Sequence, residues 1–128
     1  MSNKTLAVDF DGVISHYTRW KGKGVFESPV KGCSSFLKKL RSCGWKIIIF
    51  TTRSEISDIR IYLKENKIPY DYINFNPENK KQKLSPNKIL ADVYLDDRAI
   101  RFNGHWDKKL FKLIMHTEIW WKTKKKLS

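Results

Sequence analysis

Short apolar stretches alternate with amphipathic ones along this chain, and the alternation outlines a fold. "TLAVDF" (5–10), "KIIIF" (46–50), "YDYINF" (70–75) and "ADVYLDD" (91–97) have the length and composition of strands. The first two and the last are nearly continuous in hydrophobicity, the pattern of strands buried on both faces of a parallel sheet. Helical periodicity fills the gaps. In "GCSSFLKKLRSCG", Cys33, Phe36, Leu37 and Leu40 fall on one face and Gly44 supplies a stop. In "TTRSEISDIRIYLKEN", Ile56, Ile59 and Leu63 form the stripe. Thr52 and Glu55 have capping-box spacing there, which predicts a helix that starts directly after the second strand. "WDKKLFKLIMHTEIWWKTKKK" aligns Leu110, Leu113, Ile114 and Trp120 or Trp121. It reads as a terminal amphipathic helix that docks its aromatic side and leaves its lysines in water.

The order β-α-β-α-β-loop-β-α predicts an α/β fold, a three-layer Rossmann-like domain with a mainly parallel sheet. Residues 76–90 are the weak link, a polar stretch rich in Lys, Asn and Pro with little room for a full crossover helix. No internal repeat or linker interrupts the 128 residues, so one domain spanning 1–128 is expected.

Composition adds limits. Apolar residues make up 41% and aromatics 13%, a globular balance. No apolar run approaches the roughly 18 residues of a membrane span, and the first ten residues lack a signal-peptide design. A soluble, cytoplasmic protein with no membrane partner is the expectation. Cys33 and Cys43 bracket one helix; ten residues at a helical rise put them about 15 Å apart, beyond disulfide reach, so both read as small core hydrophobes. The net charge of +13 suits acidic partners such as nucleic acid or phosphorylated substrates, and equally suits a lysine-rich solvated surface. The tail "KTKKKLS" is the one dense cluster.

Chemistry gathers where the strands end, the place ligands bind in open parallel sheets. The first strand ends in Asp9 and Asp11, the second in Thr51, Thr52 and Arg53, the fourth in Asp96, Asp97 and Arg98. Four carboxylates on one rim repel strongly without a cation. Oxygen ligands alone, with no cysteine or histidine, select a hard ion, with Mg²⁺ foremost. A calcium loop is excluded, because its fifth, sixth and twelfth positions hold Val13, Ile14 and Trp20. His16, His105 and His116 lack paired ligand spacing, and His105 with Trp106 is expected to close over the sheet end.

"DFDGV", "IIIFTTR", a following lysine and "VYLDDR" resemble, in order, the four motifs of the haloacid dehalogenase-like (HAD) superfamily of aspartate-nucleophile phosphohydrolases. The resemblance covers residues 6–106. It implies Asp9 as nucleophile, Asp11 as general acid/base and Thr51 as a phosphoryl-binding hydroxyl, helped by amides at the next helix start. Thr52 and Arg53 come next as substrate contacts, although an arginine there is as often a structural ion pair. Magnesium would be held by Asp9, the backbone carbonyl of Asp11, and Asp96, with Asp97 supporting. An acid at Asp11 argues against carbon–halogen cleavage, since a halide leaves without a proton. Lys88, eight residues before Asp96, resembles the lysine of short capless members, with Ile89 where those carry proline; Lys80, Lys81 and Lys83 are rivals.

Only about forty residues separate Asp11 from Thr51, and "SHYTRWKGKGVFESPVKG" is a flap rather than a folded cap domain. An uncapped site favours a large substrate, a lid from a partner chain, or a small phosphomonoester enclosed within an oligomer. Three readings are open: a Mg²⁺-dependent phosphatase of small phosphomonoesters such as nucleotides or sugar phosphates, a phosphatase of nucleic-acid ends, and a non-catalytic basic binding module. The four aspartates disfavour the third, because they repel a polyanion. The basic flap residues Arg19, Lys21 and Lys23 encourage the second.

Overall fold

The computed structural model describes residues 4–117. Within them β1 (Thr5–Asp9), α1 (Cys33–Ser42), β2 (Lys46–Phe50), α2 (Ile56–Glu65), β3 (Tyr72–Ile73), α3 (Pro77–Lys81), β4 (Val93–Leu95) and α4 (Lys108–His116) succeed one another in order. The sheet runs β3-β2-β1-β4, with every pairing parallel. This is the Rossmann-like α/β architecture that the strand–helix alternation predicts. β1 and β2 lie in the middle, which is why "LAV" and "III" are apolar without a break: Ala7 and Ile48 bury one face while Leu6, Val8, Ile47 and Ile49 bury the other. The second face carries the main core. There Leu37 of α1 and Ile59 and Leu63 of α2 close over β1 and β2, joined by Phe10, Ile14 and Ile68.

The chain reverses direction after β3, crossing β2 and β1 to reach β4, and it does so with very little regular structure. α3 is a single five-residue turn capped by Asn76, whose side chain accepts from the Glu78 N–H and donates to the Leu90 carbonyl. Buried Asn79 organises the segment from Ser85 to Leu90. Its Nδ2 donates to the carbonyls of Ser85 and Lys88 at 2.8 Å each, and its Oδ1 accepts from the Leu90 N–H at 2.9 Å. Two asparagine side chains therefore satisfy backbone groups that a crossover helix would otherwise pair internally.

Several expectations fail, each for a traceable reason. α2 begins at Ile56, not directly after β2, and the Thr52–Glu55 capping box does not form. Glu55 is drawn instead to the flap, accepting the Gly24 N–H at 3.1 Å and lying 3.9 Å from Arg53 Nη1. β4 is exposed at all three residues rather than buried on both faces, because it is the sheet's edge. Phe36 stands at the rim of a groove above β4 and is 61% exposed. Cys43 is exposed at the end of α1, while Cys33 is half-buried against the core; both are free thiols. α4 buries none of its residues, so the expected docking of its apolar side is absent among the described residues. Trp120, Trp121 and the lysine tail lie outside those residues. Trp106 touches Phe102 but is 87% exposed and does not close over the sheet. Among the described residues no helix is long and apolar enough to cross a membrane.

Asn79 is the point where this crossover is most vulnerable. Asn79→Ala strips one donor and two acceptors of their partner and should lower unfolding free energy by about 1–3 kcal/mol. Urea denaturation should report this as a lower midpoint with an unchanged slope.

Candidate active site

β1 delivers Asp9 at its carboxyl end, and the chain then turns sharply. Gly12 adopts φ +84°, and a Cβ there would sit 2.3 Å from Asp97 Oδ2. Glycine is needed on both counts: the left-handed backbone, and the approach of a β4-end carboxylate to the β1 exit. The register Leu6↔Val93, Ala7↔Tyr94, Val8↔Leu95 sets the two strand ends side by side. One carboxylate oxygen from each of Asp9, Asp96 and Asp97 falls within 4.8 Å of the others. Asp96 is held in place by its own turn, accepting the Arg98 N–H at 2.8 Å. Asp9 accepts the Phe10 N–H at 2.9 Å.

Electrostatics register the crowding. Burial, with Asp96 and Asp97 as near negative neighbours, pushes the Asp9 carboxyl from 3.8 up to about 7, and the single Phe10 N–H only partly opposes this. An oxygen-only trio of carboxylates, one of them driven this far toward the neutral acid, is a donor set that a hard divalent cation fits.

Asp11 does not join the trio with its carboxylate. Arg53 Nε and Nη2 donate to its Oδ2 and Oδ1 at 2.8 and 2.9 Å, a fork-on-fork pair. Burial alone would lower the Arg53 pKa, but the Asp11 hydrogen bonds together with the negative charges of Asp11 and Glu55 outweigh it and raise the pKa. Thr51 anchors the β2 end. Its N–H donates to Asn74 Oδ1, its carbonyl accepts from Asn74 Nδ2, and its hydroxyl accepts the Arg53 N–H at 3.1 Å. The amides expected at a helix start belong instead to the loop before α2.

All these groups except Asp97 face one open cavity of about 720 Å³. Asp9, Asp11, Thr51, Thr52, Arg53, Asn74, Lys88, Asp96 and Arg98 line it, with Tyr17 and Trp20 from the flap and Tyr94 opposite. Lys88 reaches the wall because Asn79 fixes its carbonyl, and its ammonium lies over the Tyr94 ring at 5.2 Å. Lys80, Lys81 and Lys83 do not line this cavity, and Lys81 pairs with Glu78 on α3. Asp97 stands at the rim, reached through the carboxylate trio rather than through the cavity wall.

No sequence motif marks Asn74. It sits just past β3 at φ +53°, a conformation asparagine tolerates better than most residues, and "INFNP" holds that signal without saying what the side chain bonds. The flap, residues 15–32, is pinned at several points. The His16 N–H donates to the Ser28 carbonyl at 2.8 Å, and Val30 to Ile14 at 2.7 Å. Phe26 meets Phe10 and Tyr62 edge-to-face, at 5.3 Å in both cases. The Tyr62 hydroxyl, pushed up to about 12 mainly by burial, donates to the Glu27 carbonyl.

The fold has solved counterparts. A conserved protein from Bacteroides thetaiotaomicron superposes with a TM-score of 0.63 over 91% of this chain and 93% of its own, at 22% identity. A protein from Vibrio cholerae matches with a TM-score of 0.50 over 77% of this chain and 83% of its own, at 23% identity. No protein-family model and no curated protein matches the chain. At such identities the likeness is one of fold.

The raised Asp9 pKa has a signed consequence. The folded state holds the Asp9 proton more tightly than the unfolded chain, so this group's stability contribution is full below about pH 4 and lost as pH rises through about 7. In a divalent-free buffer the melting temperature should fall between pH 5 and 8 more steeply for the wild type than for Asp9→Asn. Millimolar Mg²⁺ at pH 8 should restore the wild type and not the variant. Parallel pH profiles for the two proteins would show the crowding to be relieved in some other way.

Proposed function

We propose that this protein is a magnesium-dependent phosphohydrolase that transfers the phosphoryl group of a phosphomonoester to Asp9 and then to water. The observation that carries the reading is the carboxylate trio within 4.8 Å at neighbouring strand ends, opening into a cavity shared with Asp11, Thr51 and Lys88. Together with the ordered resemblance to the HAD motifs, that arrangement assigns each group a task.

Asp9 supplies the attacking oxygen, and the bond from phosphorus to the leaving oxygen breaks as the aspartyl–phosphate bond forms. Asp11 gives a proton to the departing oxygen, then takes one from the water that cleaves the aspartyl-phosphate, which returns Asp9 to its carboxylate. Thr51 and the loop amides beside it bind phosphoryl oxygens, with Thr52 and Arg98 on the same wall. Lys88 places a positive charge opposite the aspartates. Asp9, Asp96 and the Asp11 carbonyl would hold Mg²⁺, supported by Asp97; when bound, the ion offsets negative charge on nucleophile and phosphate together. The ionised Asp9 needed for attack is the form that the crowded trio disfavours without a cation.

A phosphomonoester of nucleotide or sugar-phosphate size fits a cavity of about 720 Å³. A nucleic-acid end is the second reading, favoured by the cavity's openness and by Arg19 and Lys23, which stand on the flap that forms one wall. A basic binding module without catalysis leaves the trio unexplained.

Asp9→Asn should abolish turnover of aryl and alkyl phosphates, and Asp11→Asn should slow alkyl phosphates by roughly 10²–10⁴. EDTA should remove activity and Mg²⁺ restore it, while Asp96→Ala should raise the Mg²⁺ requirement. Undiminished hydrolysis by Asp9→Asn, or full activity in excess chelator, would refute the assignment.

Salt separates the two substrate classes. If nucleic-acid ends are the substrate, log kcat/KM for a 3′- or 5′-phosphorylated oligonucleotide should fall with log salt by about 0.7 per phosphate contacted, against a shallow slope for a mononucleotide. Deleting residues 122–128 should flatten the first slope and leave the second alone. Equal slopes that ignore the deletion would assign the protein to small phosphomonoesters.

A further inference from the structure

Arg53 comes after the second motif as a substrate contact would, yet two of its three nitrogens are spent on Asp11. Nε and Nη2 are committed to the two Asp11 oxygens. Nη1 is buried, 3.9 Å from Glu55 Oε2, and makes no hydrogen bond among the described residues. The guanidinium carbon lies 4.9 Å from the Trp20 ring centroid and 4.7 Å from that of Phe26, so aromatic faces of the flap flank the cation. Glu55 also accepts the Gly24 N–H at the flap's tip. One buried side chain thus touches the acid–base candidate, the loop before α2 and two aromatic rings of the flap.

We propose that Arg53 is a positioning residue: it fixes the plane and reach of the Asp11 carboxylate and ties that placement to the flap through Trp20 and Phe26. The inference rests on the phosphohydrolase reading for what Asp11 does, and on geometry alone for the clamp. A carboxylate oxygen has two acceptor sites, so each Asp11 oxygen keeps one for a substrate or water proton while the other holds Arg53. A planar fork locks rotation about the carboxylate; an ammonium, a point charge, does not. The flap's seating then sets where the proton is delivered, although no flap side chain need touch the reacting atoms.

The two steps assigned to Asp11 give the test its resolution. Nitrophenolate leaves without a proton, so with 4-nitrophenyl phosphate only the second step needs a placed Asp11. Arg53→Lys and Arg53→Met should therefore release about one nitrophenolate per protein in a rapid burst. Steady turnover should then run roughly 10²-fold below wild type, the scale of a misplacement of about 1 Å, with KM falling alongside it so that kcat/KM stays near wild type. Alkyl phosphates should be slowed with no burst. A raised KM with wild-type turnover and no burst would make Arg53 a phosphate ligand and overturn the proposal, as would wild-type rates in Arg53→Lys.

A second measurement needs no catalysis. In ¹⁵N spectra the Arg53 Nε–H should exchange slowly with water in the wild type and at least tenfold faster in Asp11→Asn. Equal exchange in the two proteins would overturn the clamp. A wild-type protein inert toward aryl, nucleotide and sugar phosphates would instead end the phosphohydrolase reading, and the Nε–H comparison would still decide whether Arg53 holds Asp11.

Discussion

Mutual repulsion among Asp9, Asp96 and Asp97 is the constraint around which the rest of the molecule is arranged. Carboxylates drift apart in water; here the parallel register of β1 and β4 and the glycine at position 12 force them together. The cost shows in the Asp9 carboxyl, raised to about 7 by burial first and by its Asp96 and Asp97 neighbours after it. A fold does not keep such an arrangement for stability, because replacing one aspartate with a neutral residue would relieve it. On the phosphohydrolase reading the crowding makes sense when a cation enters, and the cavity beside it is where a phosphoryl group would meet that charge.

Surrounding that cluster, single side chains stand in for regular structure. Asn79 holds the turn that carries Lys88 to the cavity. Asn74 fixes Thr51 by both its amide and its carbonyl. Phe26 docks the flap against Phe10, the residue between the two aspartates of the first motif, so the aromatic contact and the Asp9–Asp11 spacing share one backbone segment. These are loops built to the precision of a strand end, and each depends on one or two polar or aromatic anchors with little redundancy. Their removal should be felt at the cavity as much as in overall stability.

How far the sequence reveals this depends on what each residue's signal is made of. The central strands are legible because burial on both faces leaves an unbroken apolar run, and Asp9, Asp11, Thr51 and Asp96 are legible as strand-end residues. β4 reads as buried and is not: "VYL" is as apolar as a central strand, but strand order, not composition, puts it at the edge. The Thr52–Glu55 capping signal is local and correct in spacing, and loses to a tertiary competitor, the flap's Gly24 N–H. α4 has the periodicity of a docked helix, yet periodicity states which residues share a face and never what lies opposite. Asn74, Asn79 and the Arg53 clamp act across up to tens of residues, a separation that no local pattern encodes.

The carboxylate trio joins the best-buried strand of the sheet to its least-buried one. Asp9 belongs to a strand held on both sides, while Asp96 and Asp97 hang from three exposed residues whose pairing is a single ladder against β1. Repulsion across that ladder acts to peel β4 away, and the apolar side chains above it offer little cover to resist. A cation held by Asp9 and Asp96 would reverse the sign of the interaction and turn a repelling seam of the sheet into a tie. On the phosphohydrolase reading, metal binding and completion of the sheet edge are therefore one equilibrium. The geometry of the nucleophile would then be set by the ion as much as by the fold, and an edge strand with so little packing of its own is suited to that coupling.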